Sequence, residues 1–323
     1  MATARGIWRA RRARPAIAAA VTIAAILHAA ASVQAVAPPI VDASLSRSHV
    51  ALLRYPGGIA LDTHGNAYVT DSIDNRLQKL SPDGRVLDTW GGPGAGQASF
   101  NGPSGLAVDR RGYIYVADTR NHRVQKLARD GRPVAQWSRT QSHLLFEPGD
   151  VALDGRGKLY VADGENAWIE VLSSSGKTLE RLGSFENPST GQFAGPAAVA
   201  VDSAGFVYVA DYTWITKLSS RGIPIATWGR FGRQNSRFEL PNGLAVDSRR
   251  NVYVSDALTN RIVKLSSDGK TLRRWGSAGH APGQFEGPTD VAVDSHDNVY
   301  VTDFGNHRVE KFSSSGRLLA IWK

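Results

Sequence analysis

The stretch PSGLAVDRRGYIYVADTRNHRVQKLARDGRPVAQWS, residues 103–138, contains the four short apolar segments GLAV, YIYVA, RVQKL and PVAQW. Turn-forming residues separate these segments at 109–112, 118–121 and 129–131. Four strands joined by such turns predict a single antiparallel sheet. Because a sheet of this size cannot bury both of its faces alone, other parts of the chain must cover it.

The same phrase occurs six times, and each copy begins at a proline. The prolines are Pro56, Pro103, Pro148, Pro196, Pro241 and Pro288, at spacings of 47, 45, 48, 45 and 47 residues. Six four-stranded units at this period predict an all-β fold, a six-bladed β-propeller of antiparallel blades around a central channel. The repeats fill residues 56–323, which we therefore expect to form one domain.

Charge and cysteine content narrow the classes of function. The chain has 323 residues, no cysteine and a formal net charge of +9. Residues 1–35 hold five arginines and no acid, which leaves +4 on the remainder. Because the other basic residues are scattered over the repeats, we expect no nucleic-acid binding. The lack of cysteine excludes disulfides and thiolate metal sites.

The N-terminal segment predicts export. Residues 1–14 are basic, residues 16–31 form an apolar run, and Val33-Gln34-Ala35 places small residues at a cleavage site. We predict a signal peptide over 1–35 and a secreted or periplasmic protein. An uncleaved membrane anchor is the alternative. Residues 36–55 read as a linker and lead-in strand, with Leu53 at the position held before later repeats by Phe100, Phe193, Phe238 and Phe285.

Two of the units carry the sequence of a known repeat. Residues 121–124 and 306–309 both read Asn-His-Arg-Val, after a strand that ends in Asp. Each unit opens with Pro and continues through a central Ala to another Asp. The chain thereby resembles NHL-repeat proteins over residues 56–322, and the resemblance implies a six-bladed β-propeller.

Strand direction assigns the loops to two faces. Because strands alternate, the turns between strands one and two and between strands three and four share one face. The opposite face carries the Asn-His-Arg loops and the long crossings between blades, such as residues 91–102 and 229–240. We call it the loop-rich face. Longer, variable loops on a rigid scaffold favour this face for binding.

The repeated acidic and basic residues are predicted to support the scaffold. An Asp ends strand one and another Asp ends strand two in every unit, where each can cap its own turn. An Arg follows the strand-two Asp in four units and is expected to pair with carboxylates or carbonyls. These arginines are Arg76, Arg123, Arg261 and Arg308.

Units three and four depart from the pattern by replacing that Arg with an aromatic residue. This change brings Trp168, Tyr212 and Trp214 near the loop-rich face, where they could bind a protein, peptide or sugar ring. Arg230 and Arg233 on the next crossing would supply a basic rim. Alternatively, the rings fill the space that the arginines vacate.

Non-repeating oxygens also occur just after the opening prolines. Asp150, Asn242 and Asp290 lie at this entry to the channel and are candidate ligands for a divalent metal such as calcium. Capping of the local turn is the alternative reading, and it requires no cofactor.

Enzymes with similar repeats provide a further comparison. Peptide-amidating lyases, which these repeats resemble, bind zinc partly through a histidine just after an opening proline, and no unit has one there. The resemblance therefore carries over no zinc site and no catalytic residue. Sugar-lactonase propellers hold a divalent ion with Glu, Asn and Asp, which only Asp150, Asn242 and Asp290 could imitate.

The sequence favours a monomeric, exported binding scaffold that is not an enzyme. The alternative is a metal-dependent lyase or lactonase with its site at the channel mouth, and a purely structural role is a third possibility.

Overall fold

The fold was analysed in a computed structural model, which describes residues 53–138, 145, 147–183, 192–229 and 238–323. These residues form six separate four-stranded sheets, each with its strands in sequential antiparallel order. The first strand of each sheet contacts the first strand of the next, and the sixth contacts the first. The predicted six-bladed propeller is therefore confirmed.

The strands of the first three blades are β1 Pro56–Leu61, β2 Ala67–Asp71, β3 Arg76–Leu80, β4 Val86–Gly91, β5 Pro103–Val108, β6 Ile114–Asp118, β7 Arg123–Leu127, β8 Pro133–Trp137, β9 Pro148–Leu153, β10 Leu159–Asp163, β11 Trp168–Leu172 and β12 Thr178–Leu182. Those of the last three are β13 Pro196–Val201, β14 Val207–Asp211, β15 Trp214–Leu218, β16 Pro224–Trp228, β17 Pro241–Val246, β18 Val252–Asp256, β19 Arg261–Leu265, β20 Thr271–Trp275, β21 Pro288–Val293, β22 Val299–Asp303, β23 Arg308–Phe312 and β24 Leu318–Trp322. A short 3₁₀ turn, Thr119–Asn121, follows β6.

The core lies between neighbouring blades. The second strand of every blade is buried along its whole length, whereas the fourth strand is largely exposed at the outside. The apolar clusters combine side chains of two adjacent blades; Leu77 of the first, for example, joins Leu106 and Ile114 of the second. Each blade thus supplies half of two cores, as its two apolar faces predict.

The tryptophan at the end of an outer strand packs beneath a glycine of the following blade. That glycine has a positive φ in the turn between strands three and four. A Cβ there would overlap the indole ring in four of the five pairs and would make a tight contact of 3.1 Å at Gly316. The pairs are Trp90 with Gly131, Trp137 with Gly176, Trp228 with Gly269, Trp275 with Gly316 and Trp322 with Gly84. The last pair joins the sixth blade to the first.

Side-chain packing, not a shared strand, closes the ring among the described residues. The sixth sheet contains its own outer strand, β24, as expected. Leu53 of the lead-in is buried with Ile59 and Trp322. The predicted signal peptide, residues 1–35, lies outside the described residues. The described part contains no helix long and apolar enough to span a membrane.

The aspartate that ends strand one caps its hairpin, as predicted. One carboxylate oxygen of Asp62 accepts hydrogen bonds from the backbone N–H groups of His64 at 2.8 Å and Asn66 at 2.9 Å. The same arrangement recurs at Asp109, Asp154, Asp202, Asp247 and Asp294. These six acids therefore hold turns on the face opposite the loop-rich face.

The contact of Trp322 with Gly84, which closes the ring, predicts that one methyl group added at Gly84 has a large effect on stability. Gly84→Ala should lower the free energy of unfolding by about 3 kcal/mol, because it adds an overlap with Trp322 to the cost of the left-handed backbone. Gly65→Ala in the same blade has a similar φ but meets only Pro82 at 3.6 Å, so it should cost about 1 kcal/mol. Urea unfolding of both variants tests this, and equal losses would contradict the role of the contact.

Candidate functional site

A cavity of about 290 Å³ occupies the channel entrance on the loop-rich face. The blade entries and the first residues of the loops between strands two and three line it. We call it the mouth cavity, and its wall includes the apolar side chains of Ile73, Tyr212, Leu258 and Phe304. A concave apolar space with a few polar groups is the usual form of a ligand site.

Two aspartates reach the cavity from opposite blades and join neighbouring strands. Asp150 accepts the backbone N–H of Val151 at 2.7 Å with one carboxylate oxygen, and that of Val199 in the next blade at 3.0 Å with the other. Asp290 repeats this arrangement, accepting the N–H of Val291 at 2.7 Å and of Ile59 at 2.8 Å. The aspartates therefore do more than cap local turns, since each one connects two blades.

Asn242, the third of these entry residues, also links its blade to the next, through a longer hydrogen bond. The Asn242 side-chain amide donates to the Thr289 carbonyl oxygen of the next blade at 3.1 Å. Hydroxyl groups do the same elsewhere: Ser104 donates to the Gly149 carbonyl at 2.6 Å, and Thr289 donates to that of Pro56 at 3.0 Å. The channel entrance is thus a ring of polar links between blades.

The two entry aspartates favour their protonated forms. Burial raises the pKa of Asp150 to about 7, although the N–H groups of Val199 and Val151 oppose the shift. Burial and the charge of Asp150 raise the pKa of Asp290 well above its ordinary value. Burial, with Glu165 and Asp163 nearby, also raises the pKa of Glu147 at the cavity wall. The cavity therefore disfavours accumulated negative charge.

The predicted aromatic residues occupy different positions. Tyr212 lines the cavity and is 44% exposed, in a left-handed conformation with φ of 59°. Its ring centroid lies 6.4 Å from that of Trp214. Neither Trp168 nor Trp214 is among the described residues that line the cavity. The Arg181 guanidinium lies 5.2 Å from the Trp168 ring centroid. Arg230 and Arg233 lie outside the described residues.

The Asp that ends strand two supports the scaffold in every blade, and in four blades it does so together with an Arg. Every strand-two Asp is buried and accepts backbone N–H bonds from the preceding crossing, as with Asp118 and Asn101 at 2.8 Å. In four blades an Arg also pairs with it, as Arg123 does with Asp118 at 2.7 Å. The other pairs are Arg76 with Asp71, Arg261 with Asp256 and Arg308 with Asp303. The repeated Asp and Arg residues therefore have the predicted structural role.

In the fourth blade, the Trp214 indole occupies the position that an Arg guanidinium holds in the four blades with an Asp–Arg pair. Trp214 begins β15, and its side chain hydrogen-bonds to Asp211. Burial raises the pKa of Asp211, while the backbone N–H groups of Gly195 and Ala194 and the Trp214 side chain act in the opposite direction. Trp214 is thus part of the scaffold, and Tyr212 beside it contributes the exposed ring.

Sequence reasoning missed most of the apolar wall. Ile73, Leu258 and Phe304 follow a strand-two Asp by one or two positions, as Tyr212 and Arg120 do. These positions differ in every blade, while the Asp before them does not change. This variability indicates a binding role, because strand direction assigns these positions to the loop-rich face.

The described residues contain no group of three or more His, Cys, Asp or Glu side chains placed to hold a metal ion. Asp150 and Asp290 could offer oxygen ligands, but both carboxylates already accept backbone N–H bonds from two blades. Asn242 would add a side-chain carbonyl oxygen. This set provides few donors for calcium, which takes six to eight oxygens.

The model of the NHL repeat matches residues 100–127 and 285–312. These segments contain the two Asn-His-Arg-Val sequences, in the second and sixth blades. The chain therefore contains NHL repeats and folds as a six-bladed β-propeller. Among curated proteins, no sequence matches it.

Solved structures of several enzymes share this fold. A virginiamycin B lyase from Staphylococcus aureus has a TM-score of 0.58 and 12% identity, covering 83% of this chain and 84% of that one. A gluconolactonase from Xanthomonas campestris has a TM-score of 0.62 and 17% identity, covering 80% and 86%. Hydrazine synthase from Kuenenia stuttgartiensis has a TM-score of 0.57 and 11% identity, covering 84% and 98%. At these identities the similarity shows the fold alone.

The raised pKa of Asp150 predicts an unusual dependence of stability on pH. Because its pKa is about 7 in the folded protein and near 3.8 in an ordinary setting, its stabilising contribution is complete below about pH 4 and is lost as the pH rises through about 7. Asp150→Asn cannot ionise, so its stability relative to the wild type should improve between about pH 4.5 and about pH 7.5. Urea unfolding at both pH values measures this, and a relative stability that falls with pH would contradict the assignment.

Proposed function

We propose that this propeller is a non-catalytic binding module that holds its ligand in the mouth cavity of the loop-rich face. One observation carries the proposal: apolar side chains that differ from blade to blade converge on a concave site, whereas the repeated residues are used in the scaffold. A repeat scaffold has no structural need for different side chains at these positions, so a ligand is the simplest reason for them.

The apolar wall brings several exposed apolar side chains together in one cavity. Ile73 is 42% exposed, Leu258 52% and Tyr212 44%, and all three face the same cavity. Grouped apolar surface in a cavity favours ligand burial, which contributes roughly 25 cal/mol for each Å² removed from water. A peptide side chain, a small apolar group or the apolar face of a sugar ring fits this chemistry.

The neighbouring aromatic residues would extend the contact for a larger partner. Tyr212 connects the cavity to Trp214, and we propose that Trp168 belongs to the same outer surface. In this proposal, Arg230 and Arg233 form the basic rim of that surface. A protein, peptide or carbohydrate chain could then enter the cavity with one group and lie across this surface with the rest.

A metal-dependent lyase or lactonase is the second candidate. Support comes from the fold shared with a virginiamycin B lyase and a gluconolactonase, and from the oxygens of Asp150, Asn242 and Asp290 at the channel entrance. The small number of oxygen donors at the entrance, against the six to eight that calcium takes, ranks it second. We further propose that the protein is a monomer exported by its N-terminal segment.

A matched pair of leucines in the fifth blade tests the binding proposal. Leu258→Ala should weaken capture of the partner about tenfold, because a buried leucine contributes roughly 1.5 kcal/mol of contact. Leu272→Ala removes the same side chain from the outer strand, where it is 49% exposed, and should leave capture unchanged. Quantitative cross-linking pull-downs with purified wild type and both variants measure the ratio. Equal capture by all three proteins would exclude the mouth cavity as the contact.

Metal analysis separates the two candidate functions. We expect no stoichiometric zinc or calcium in the purified protein and no effect of a chelator on ligand capture, because Asp150, Asn242 and Asp290 offer few donors for either metal. Elemental analysis before and after dialysis against chelator provides the measurement. One equivalent of metal that is lost in Asp150→Ala or Asp290→Ala, together with a chelator-sensitive hydrolytic or lyase activity, would reverse the ranking.

A further inference from the structure

The mouth cavity is acidic although the protein as a whole is basic. Its charged lining residues are Glu147, Asp150, Glu239, Asp290 and a single base, Arg120. The chain carries a formal net charge of +9. Arg120 is exposed at the rim, where water and salt screen its charge. The ionisable groups of its described wall are therefore all acidic apart from the exposed Arg120.

The two deepest acids have no cationic partner in the described part of the chain. Asp150 and Asp290 form no ion pair there, and only backbone N–H groups favour their charged forms. By contrast, the buried Asp118 and Asp303 of the strand-two positions each pair with an arginine. A buried carboxylate without a counter-charge is costly, so either a proton or an external cation must balance it.

These charges share a space with an apolar wall. Leu258 and Tyr212 are about half exposed, and both line the same cavity as Asp150 and Asp290. Asn242 also lines it, and its side-chain oxygen accepts no hydrogen bond within the described residues. The cavity thus presents hydrogen-bond acceptors and apolar groups to the same ligand.

We propose that the mouth cavity binds a ligand in which a protonated amine is attached to an apolar group, such as a lysine-like or N-terminal amine beside an apolar residue. The ammonium lies at Asp150 and Asp290, where it supplies the missing counter-charge, and the apolar part contacts Tyr212 and Leu258. This inference rests on the proposed binding function and specifies the chemistry of its ligand.

Charge complementarity favours the amine over other occupants. An ammonium donates three hydrogen bonds and accepts none, which suits carboxylate oxygens that retain free lone pairs. An anionic ligand would add charge to a cavity where burial already disfavours it. A neutral ligand of the same shape would leave the aspartates to be balanced by protons.

The proposal also links binding to proton release. An ammonium stabilises the charged carboxylates and lowers their pKa, so binding must expel protons that the empty cavity holds at neutral pH. Asp150 and Asp290 line this cavity from opposite blades, with Glu147, Glu239 and Arg120 as the other charged groups of its described wall. Affinity for an amine should therefore rise with pH.

Three probes with the same apolar body test the inference on the purified protein: phenylbutylamine, phenylbutanol and phenylbutyrate. The amine should bind about tenfold more tightly than the alcohol and more tightly still than the carboxylate, because a charge-assisted hydrogen bond contributes roughly 1.5 kcal/mol or more. Between about pH 6 and about pH 8, the amine's affinity should increase about tenfold while that of the alcohol stays constant. Calorimetric titration measures all of these affinities.

Two substitutions complete the test. Asp150→Asn should remove most of the preference for the amine, whereas Asp297→Asn, which removes the same charge on the opposite face, should leave it unchanged. The pH dependence of the wild type decides the matter if the first variant does not fold. Tighter binding of the alcohol or carboxylate would overturn the inference and leave the binding cavity standing. Failure of all three probes to bind would count against both proposals.

Discussion

The fold depends on the burial of each blade against the next. A four-stranded sheet of this size has two apolar faces and cannot bury either one alone. In this chain every core cluster spans two blades, and the sixth blade covers the first through Leu53, Ile59 and Trp322. Closure is therefore a structural requirement, and the contact of Trp322 with Gly84 meets it without an exchanged strand among the described residues.

The need to fix each blade against the next explains the roles of most repeated polar residues. Strand-one aspartates hold the hairpins, and strand-two aspartates hold the crossings between blades, in four blades with the help of an arginine. Asp150 and Asp290 use the same chemistry at only two opposite blades, where Gly105 and Gly243 of the preceding blades provide room for them. Unlike the four strand-two aspartates that pair with an arginine, they balance no cationic side chain within the described residues, so they combine a structural role with an acidic cavity.

Much of this architecture was readable from the sequence, for physical reasons. Blade number, strand order and the turn aspartates follow from a pattern that recurs in phase, because each copy must make the same contacts. The entry residues Asp150, Asn242 and Asp290 were also placed at the channel. The apolar wall at Ile73, Leu258 and Phe304 was not predicted: variation after a constant Asp marks each position as non-repeating, but a single exposed loop residue has no periodicity to show that it joins a wall. With Tyr212 they come from four blades, and only the ring brings them together.

The central claim is that repeated residues build the scaffold and that the non-repeating wall of the mouth cavity binds the ligand. A crystal structure of the protein soaked with phenylbutylamine tests it most directly. The account predicts electron density for the probe in the mouth cavity, with its ammonium at Asp150 and Asp290 and its ring against Tyr212 and Leu258. Density for the probe only on the outer strands or on the opposite face, with the cavity empty, would contradict it.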